Sequence, residues 1–368
     1  MNIGLFMGHP AHFHMLKYTA ENLRRDGHRV YVVIKKKDIL EKLCQDAELE
    51  YFKIREGRGG SKWGLIKSVL GMEFHMWQFI RRNKINLLIG STLSYTAAKI
   101  NHIPVIAMGE DDAAIVPMYA KMVYPYATNI LSPVSCNNGQ WEYKSSKYPG
   151  FQKLAYLYPK RFTAAKQIVK QYGINPDKPY FLVRFAKLNA HHDGGVSGIS
   201  TEVAQQIIYL LTPYGKIYIT SERELEPQFE QYRLQINPLD IHHVMAFATL
   251  YIGDSQSMAV EAAMLGVPSL RFNDFVGKKK IGVMEELEHA YGLTYGISSH
   301  EPEKLYAKIE ELVAMPNLRE EFQQRRQKML ADKIDVTAFL TWFLENYPQS
   351  AIEAKGKDAK DAFWKQFK

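Results

Sequence analysis

Residues 251–270 constrain the fold more than any other part of the sequence. An apolar strand ends at Ile252, the segment Gly253 to Ser257 makes a tight turn into a helix, and Gly266 and Pro268 precede a second strand. Glycine and proline at these positions are typical of a helix end followed by a new strand. A strand, a helix and a second strand in this order predict the βαβ unit of an α/β protein.

The turn places polar side chains at the amino-terminal end of the predicted helix. Free N–H groups at such an end attract anions. Ser255 and Ser257 are therefore candidates both for capping the helix and for offering hydroxyls to a diphosphate. Glu261 lies four residues after Ser257 and shares its face, where a carboxylate suits ribose hydroxyls. An ordinary capped crossover with a solvated glutamate explains the same residues without a ligand.

The segment resembles the nucleotide-sugar motif of the UDP-N-acetylglucosamine 2-epimerases, which runs Asp-Ser-Gly-Gly, then Glu-Ala, then Leu-Gly-Val-Pro. The matching positions are Asp254, Ser255, Glu261, Ala262, Leu265, Gly266, Val267 and Pro268. The family's two glycines are Gln256 and Ser257 here, and because glycine allows the closest backbone approach, this departure narrows the expected phosphate cradle. The resemblance implies that Ser255 and Ser257 hold phosphates and that Glu261 holds ribose.

The length and composition indicate a two-domain soluble protein. One hydrophobic core rarely supports 368 residues, and 46% hydrophobic with 23% charged residues is ordinary for globular chains. Apolar runs are strand-sized, too short to span a membrane. The two cysteines, Cys44 and Cys136, are too few for a disulfide framework. We therefore expect a cytoplasmic location.

The net charge of +8 admits nucleic acid, anionic lipid or a phosphorylated substrate as partner. The sequence has no zinc-finger, helix-turn-helix or RNP-like pattern, so we expect no nucleic acid. Basic residues cluster in three places: Lys35, Lys36 and Lys37; Lys278, Lys279 and Lys280; and Lys357, Lys360, Lys365 and Lys368, with Phe363, Trp364 and Phe367 interleaved. The last cluster fits peripheral contact with an acidic membrane surface at the inner face, and equally a frayed, solvated terminus.

Short apolar runs alternate with helical stretches along most of the chain, as in parallel sheets covered by helices. The predicted strands are 3–7, 30–34, 85–89, 103–108, 127–131, 180–185, 216–220, 250–253 and 269–272. The segment 133–159, rich in Tyr, Asn, Gly and Pro, is typical of an ordered linker.

The predicted fold is α/β, with two Rossmann-like domains facing across a cleft in the glycosyltransferase-B manner. The acceptor domain covers 1–158, the nucleotide-sugar domain covers 159–336, helices in 337–350 return to the first domain, and 351–368 form a basic tail. Ligands of open parallel sheets bind beyond the carboxyl ends of the strands, so the motifs that follow strands are expected to share one site.

The loop after the first strand, Gly8-His-Pro-Ala-His-Phe-His14, concentrates three histidines. Histidines in such a loop can bind a metal, bind phosphate or act as a base. Alternatively, each ring has a structural role and forms a hydrogen bond to a nearby backbone group. The acidic partner of common metal motifs is missing, so we expect no metal. Counted back from Gly27, His12 takes the place of the loop histidine in the muramyl-pathway N-acetylglucosaminyltransferase. That resemblance implies that His12 is the base that deprotonates an acceptor hydroxyl.

A second loop, 184–195, combines positive groups with two glycines. The candidates for binding the diphosphate are Arg184, Lys187, Asn189, His191 and His192. Cationic groups beside flexible backbone amides neutralise the charge that grows on a diphosphate leaving group. The matching loop of the 2-epimerases carries His-Arg and a later Asn. A metal site that includes Asp193 is the alternative, but adjacent histidines rarely converge on one ion.

Carboxylates follow a further strand in Gly109-Glu110-Asp111-Asp112, where they are suited to act as a base, to orient a sugar hydroxyl, or to cap a helix. In the 2-epimerases, an Asp-Thr pair and a glutamate at the corresponding places handle proton transfer. Thr92 is retained and Glu110 lies near the glutamate, but Ser91 replaces the aspartate. This loss weakens an epimerase mechanism more than a transferase mechanism.

The segment Asn237 to His243 matches the place where transferases of this fold lay the nucleotide base, although its two histidines also suit a helix start. Residues 1–345 as a whole resemble a prokaryotic domain-of-unknown-function family near these enzymes.

The sequence therefore predicts a metal-independent glycosyltransferase without cofactor, acting in surface polysaccharide or glycan biosynthesis. The donor is a nucleotide diphosphate sugar, UDP-linked by resemblance, and the acceptor is a glycan or lipid-linked. His12, Glu110 and Asp111 are the catalytic candidates. The alternatives are a nucleotide-sugar 2-epimerase and a non-catalytic nucleotide-sugar-binding scaffold.

Overall fold

The computed structural model describes residues 1–35, 39–54, 62–90, 95–186, 198–277 and 280–368, with the side chains of 62–66, 68–69 and 95 left out. The chain divides into two compact units. The first comprises Met1–Tyr158 and Lys333–Lys368, and the second comprises Pro159–Asp332.

The strands are β1 Asn2–Met7, β2 Arg29–Lys35, β3 Tyr51–Ile54, β4 Leu87–Gly90, β5 Val105–Met108, β6 Asn129–Pro133, β7 Ser145–Tyr148, β8 Tyr180–Phe185, β9 Lys216–Ser221, β10 Leu250–Gly253, β11 Ser269–Phe272 and β12 Thr294–Ile297. The α-helices are α1 Pro10–Arg25, α2 Leu40–Asp46, α3 Lys62–Arg82, α4 Tyr95–Ile100, α5 Pro117–Val123, α6 Leu154–Leu157, α7 Lys166–Gln171, α8 Thr201–Leu211, α9 Ile241–Phe247, α10 Gln256–Met264, α11 Gly282–Glu285, α12 Pro302–Val313, α13 Leu318–Asp332, α14 Val336–Glu345 and α15 Gln349–Ala354. Short 3₁₀ segments cover Gly139–Lys144, Pro227–Tyr232, Pro238–Asp240 and Ala362–Phe367, and Glu286–Ala290 is a π-helical turn.

The described strands of the first unit form a parallel sheet in the order β3-β2-β1-β4-β5-β6-β7. The strand order reverses between β1 and β4, the kind of position at which open α/β sheets hold ligands. Gly90 ends β4 there with a φ of +146°, and a Cβ at this position would lie 2.3 Å from the Phe6 carbonyl oxygen. Only glycine therefore fits at this end of β4.

The segment 133–159 is not a linker, and that prediction is wrong. It contains β7, which pairs with β6 at the edge of the first sheet, and α6, whose four residues are buried. The Lys144 ammonium donates to the carbonyls of Tyr124, Pro125 and Ala127 at 2.9–3.2 Å. The segment is integral to the first unit because its backbone extends the sheet and its side chains tie neighbouring loops.

The carboxyl-terminal residues belong to the first unit. Helix α14 packs against α1 and α6, and its Thr337 hydroxyl donates to the Ala155 carbonyl at 2.6 Å. In the last segment, the rings of Trp364 and Phe367 each lie 5.5 Å from the Phe339 ring and are buried. Residues 351–368 are therefore packed through their aromatic side chains, and the frayed terminus that we considered does not occur.

The described strands of the second unit form a parallel sheet in the order β12-β11-β10-β8-β9. The predicted strands 180–185, 250–253 and 269–272 coincide with β8, β10 and β11, whereas β12 was not predicted. Both sheets are parallel and carry helices between their strands, so the predicted α/β class with Rossmann-like units is confirmed. Among the helices within the described ranges, none combines the length and the apolar character that crossing a bilayer requires.

Candidate functional site

The amino-terminal turn of α10 lies at the carboxyl edge of the second sheet. Ser255 is the N-cap, with extended backbone, and its hydroxyl accepts from the Met258 N–H at 3.4 Å. Ser257, in the first turn, is exposed. The helix therefore begins where the sequence predicted, and its first turn presents N–H groups and a hydroxyl that suit an anion.

Asp254 fixes the loops on either side of that turn. Its Oδ1 accepts from the Ala186 N–H at 2.6 Å and its Oδ2 accepts from the Ile199 N–H at 3.4 Å. Asn273, after β11, donates its side-chain amide to the Asp254 carbonyl at 3.0 Å. Burial raises the pKa of the Asp254 carboxyl to about 6, against the opposing effect of the two N–H bonds. Through these contacts Asp254 positions the backbone around the first turn of α10.

Gln256, which replaces the first glycine of the resembling motif, has its side chain held to one side. Arg271 of β11 donates Nη1 to the Gln256 Oε1 at 3.4 Å. Arg271 is buried, and a Cβ at Gly296 would lie 2.7 Å from its Nη2, so a glycine on β12 makes room for the guanidinium. The Glu288 carboxylate, which accepts from the Gly296 N–H at 3.0 Å, supplies the opposite charge. A cation therefore lies directly behind the first turn of α10.

Glu261 is buried on α10, and its Oε1 lies 3.3 Å from Nε2 of His242. Both histidines of the 237–243 segment belong to α9, as the alternative of a helix start predicted. His243 accepts from the Ala165 N–H at 3.0 Å through Nδ1. The contact with His242 orients the Glu261 carboxylate from behind.

The loop after β8 is described only at its two ends. The Arg184 guanidinium forms an ion pair with the half-exposed Glu222 carboxylate. The other four phosphate candidates lie outside the described residues: Lys187, Asn189, His191 and His192. Asp254 accepts from the N–H groups of Ala186, after β8, and Ile199, before the N-cap of α8, and so holds these two described positions together.

In the first unit, His12 lies in the first turn of α1, after β1. Its Nδ1 accepts from the Gly8 N–H at 3.1 Å. Burial, reinforced by the charges of His9 and Lys153, lowers the pKa of His12 from 6.5 to about 3. The ring is therefore neutral, and because Nδ1 uses its lone pair on Gly8, the proton resides on Nε2. In this tautomer His12 is a hydrogen-bond donor, which is the opposite of the base expected from the sequence.

Glu110, after β5, is held by two groups from the segment that follows β7. Its Oε1 accepts from the Gln152 N–H at 2.7 Å, and its Oε2 forms an ion pair with Lys153. The two side chains are only 12% and 9% exposed. Cys136, a buried thiol, donates to the Glu110 carbonyl at 2.9 Å. Since both carboxylate oxygens are engaged and Lys153 is close enough to affect His12, the three side chains form one electrostatic network.

The two acids next to Glu110 differ in burial. Asp112 is buried and its Oδ1 accepts from the Asn137 N–H at 2.6 Å, so it shapes the loop. Asp111 is exposed at the carboxyl edge of the sheet. Ser91 and Thr92 lie outside the described residues.

Sequence reasoning missed Lys153 and Arg271, two cations that are buried at these sites in the described part of the chain. Lys153 lies in the segment that we predicted to be a linker. Arg271 lies in a predicted strand, where it is a single charged residue among apolar ones and does not form a motif. The sequence signal that could have found Arg271 is a charged residue within an apolar strand, because a cation that is buried there needs a partner of opposite charge. Within the described parts of the chain, no three His, Cys, Asp or Glu side chains converge in a way that suits a metal ion.

Comparison with known proteins finds similarity in structure and not in sequence. No protein-family model matches the chain, and no curated protein matches its sequence. MnaA from S. aureus, solved with UDP, superposes with a TM-score of 0.67 at 13% identity over 97% of this chain and 98% of that one. UDP-GlcNAc 2-epimerase from Neisseria meningitidis, bound to UDP-GlcNAc, gives a TM-score of 0.67 at 15% identity over 94% of this chain and 100% of that one.

A glycosyltransferase is also among the similar structures. The spinosyn rhamnosyltransferase SpnG, complexed with spinosyn aglycone, gives a TM-score of 0.59 at 13% identity over 94% of this chain and 100% of that one. At these identities the similarity shows the fold. It confirms the predicted α/β fold with two Rossmann-like units.

Proposed function

We propose that this protein transfers a sugar from a nucleotide diphosphate donor, UDP-linked, to a glycan or lipid-linked acceptor in the cytoplasm. The observation that supports the proposal most is the first turn of α10, with its exposed Ser257 and its N–H groups at the carboxyl edge of the second sheet. Two proteins of the same fold are solved with UDP or UDP-GlcNAc.

In the second unit, the leaving diphosphate would rest on the first turn of α10. Charge grows on the oxygen that leaves the anomeric carbon, and helix N–H groups stabilise such charge without a metal. Arg271 contacts the Gln256 side chain at 3.4 Å and so holds it to one side of the first turn. Glu261, whose Oε1 contacts His242, is the residue that we assign to the ribose hydroxyls, as in the resembling motif.

In the first unit, the acceptor hydroxyl would attack the anomeric carbon while the bond to the diphosphate breaks. The hydroxyl proton passes to a carboxylate, and we assign this step to Asp111, which is the most exposed of the three acids after β5. His12 donates its Nε2–H to a sugar or hydroxyl oxygen and fixes its position. Glu110 and Lys153 position His12 and the loop.

The competing function is 2-epimerisation, which the high TM-scores of the epimerase structures favour. That reaction removes and returns a proton on the sugar carbon next to the anomeric centre, so it needs a basic group at the sugar. Ser91 stands where the epimerases carry an aspartate, and Glu110 is tied to Lys153. These two features favour transfer.

Incubation with UDP-N-acetylglucosamine, followed by proton NMR, separates the two functions. The transferase leaves the sugar configuration unchanged when no acceptor is present, and it releases UDP when lipid-linked or free saccharide acceptors are supplied, also in EDTA. Formation of UDP-N-acetylmannosamine without acceptor would establish epimerisation instead. Tight UDP binding with no turnover on any donor and acceptor would favour the scaffold.

A further inference from the structure

Helix α3 has apolar side chains on two sides. Its inner side packs Met72, Met76, Phe79 and Ile80 into the core of the first unit. On its outer side, Leu70 is 63% exposed and Phe74 is 54% exposed, although each could have been polar at no cost to the core. An exposed aliphatic and an exposed aromatic side chain one turn apart require an explanation of their own.

The outer apolar side chains form one continuous surface with α4. Leu70, Phe74 and Trp77 follow the spacing i, i+4, i+7 and share one face of α3. Leu70 and Phe74 are exposed, whereas Trp77 is half-buried and also packs against the core. The Phe74 and Trp77 rings are stacked, with centroids 5.7 Å apart. Ile100 at the end of α4 is 60% exposed and lines, together with Phe74 and Trp77, a groove of about 410 Å³. We call Leu70, Phe74, Trp77 and Ile100 the outer patch.

Basic residues border the outer patch. Lys67 precedes Leu70 by one turn, and the Arg81 guanidinium lies 5.2 Å from the Trp77 ring centroid. Lys99, adjacent to Ile100, is exposed. Helix α3 contains a single acid, Glu73, which lines the groove beside Phe74 and whose carboxylate accepts from the Ala97 N–H at 2.8 Å. The exposed charges that border the patch, Lys67, Arg81 and Lys99, are cationic.

We propose that the outer patch docks on an anionic membrane surface. A surface helix with apolar side chains on one face and Lys or Arg at its borders has the chemistry that binds acidic headgroups and inserts shallowly between acyl chains. A second copy of this chain is a poor occupant, because a symmetric contact would bring Lys67 and Arg81 of both copies together.

The structure also separates this surface from the basic tail. Trp364 and Phe367 are buried against α14, so the aromatic side chains that the sequence offered to a membrane are already occupied. Ile352 on α15, near that tail, is 68% exposed and stands alone as an exposed large aliphatic side chain of its helix. It provides a matched control on the same unit.

The test is flotation with vesicles of phosphatidylcholine alone and of phosphatidylcholine with one third phosphatidylglycerol. The wild-type protein is expected to bind only the anionic vesicles, more weakly as salt rises. Leu70→Glu with Phe74→Glu is expected to weaken binding at least about tenfold, whereas Ile352→Glu leaves it unchanged. Loss of binding with Ile352→Glu and not with the double variant, or no binding by the wild type, would overturn the proposal.

A second measurement does not depend on the folding of the charged variants. Both native cysteines are buried, so a thiol dye directs itself to a single introduced cysteine. Phe74→Cys carrying an environment-sensitive dye is expected to shift to the blue with anionic vesicles, and labelled Ile352→Cys is expected to show no shift. Equal responses at both positions would refute docking through the outer patch. So would size-exclusion chromatography showing a dimer that Phe74→Glu dissociates.

Discussion

The carboxyl edges of the two sheets are built from different chemical groups. In the second unit, the proposed anion site consists of backbone N–H groups and the hydroxyl of Ser257, while Asp254 binds the backbone on either side of it. In the first unit, charged side chains contact one another, because Lys153 pairs with Glu110 and its charge also lowers the pKa of His12. The structure of the first edge therefore depends on each charged side chain. The structure of the second edge depends on backbone geometry and on Asp254, which fixes that geometry.

The largest expected effect tests the dependence on charge in the first unit. Lys153→Met leaves the Glu110 carboxylate buried without its cation, which costs about 3–5 kcal/mol in the free energy of unfolding. Lys147→Met, which breaks the more exposed pair with Glu142, is the matched control and should cost less than about 1 kcal/mol. Urea unfolding measures both. If both variants lose the same free energy of unfolding, the buried pair of Lys153 and Glu110 contributes no more to stability than the exposed pair does.

Asp254 tests the second edge through pH. Its pKa in the folded state, about 6, lies above the ordinary value of 3.8, so the folded state binds the proton more tightly than the unfolded state. The contribution of this group to stability is therefore greatest below pH 4 and declines as pH rises through 6, by up to about 3 kcal/mol.

Urea unfolding between pH 4 and pH 7 measures this decline. Asp254→Asn should lack it, so that the stability difference between wild type and variant changes across the interval. Parallel curves for the two proteins would mean that Asp254 does not titrate there.

His12 distinguishes a donor from a base. A glutamine at this position offers an N–H near the place of Nε2 but accepts no proton. We expect UDP release by His12→Ala to fall about 100-fold and by His12→Gln to stay within about tenfold of wild type.

The pH–rate profile gives an independent check, because a ring whose pKa is about 3 contributes no limb near 6.5. A limb near 6.5 that disappears in both variants, with both equally inactive, would restore the role of base.

The smallest effect isolates one backbone N–H of α10. Ser255 has extended backbone, so proline fits at 256, the first helical position. Gln256→Pro removes the N–H together with the side-chain contact to Arg271, whereas Gln256→Ala removes only the contact. Calorimetry should show UDP affinity at least about tenfold lower for the proline variant than for the alanine variant. Identical affinities would mean that this N–H does not face the diphosphate.

Local signals explain what the sequence predicted well. The strand before Gly253, the cap at Ser255 and the stop at Gly266 all act within a few residues, so β10, α10 and β11 were found with their bounds nearly right. The turn chemistry also located the candidate anion site. These features need no knowledge of distant parts of the chain.

Contacts between distant residues explain what the sequence did not reveal. Strand β7 is short and polar, so no local pattern predicts it as a strand. Its buried Ser146 hydroxyl accepts from the Asn129 side-chain amide at 3.1 Å, a contact with another strand that the sequence does not reveal. Lys153 reaches Glu110 across 43 positions of sequence, and Arg271 reaches Gln256 across a strand pair. The role of His12 depends on which nitrogen the Gly8 N–H contacts, which only coordinates show.

Calorimetric titration of UDP into wild type and Ser257→Asp tests the central claim most directly. An added carboxylate in the first turn of α10 favours the helix but repels a diphosphate. We predict that the wild type binds UDP, and that the variant binds it at least about 100-fold more weakly with an unfolding temperature no lower than wild type. Unchanged UDP affinity in Ser257→Asp would contradict a diphosphate site at this turn.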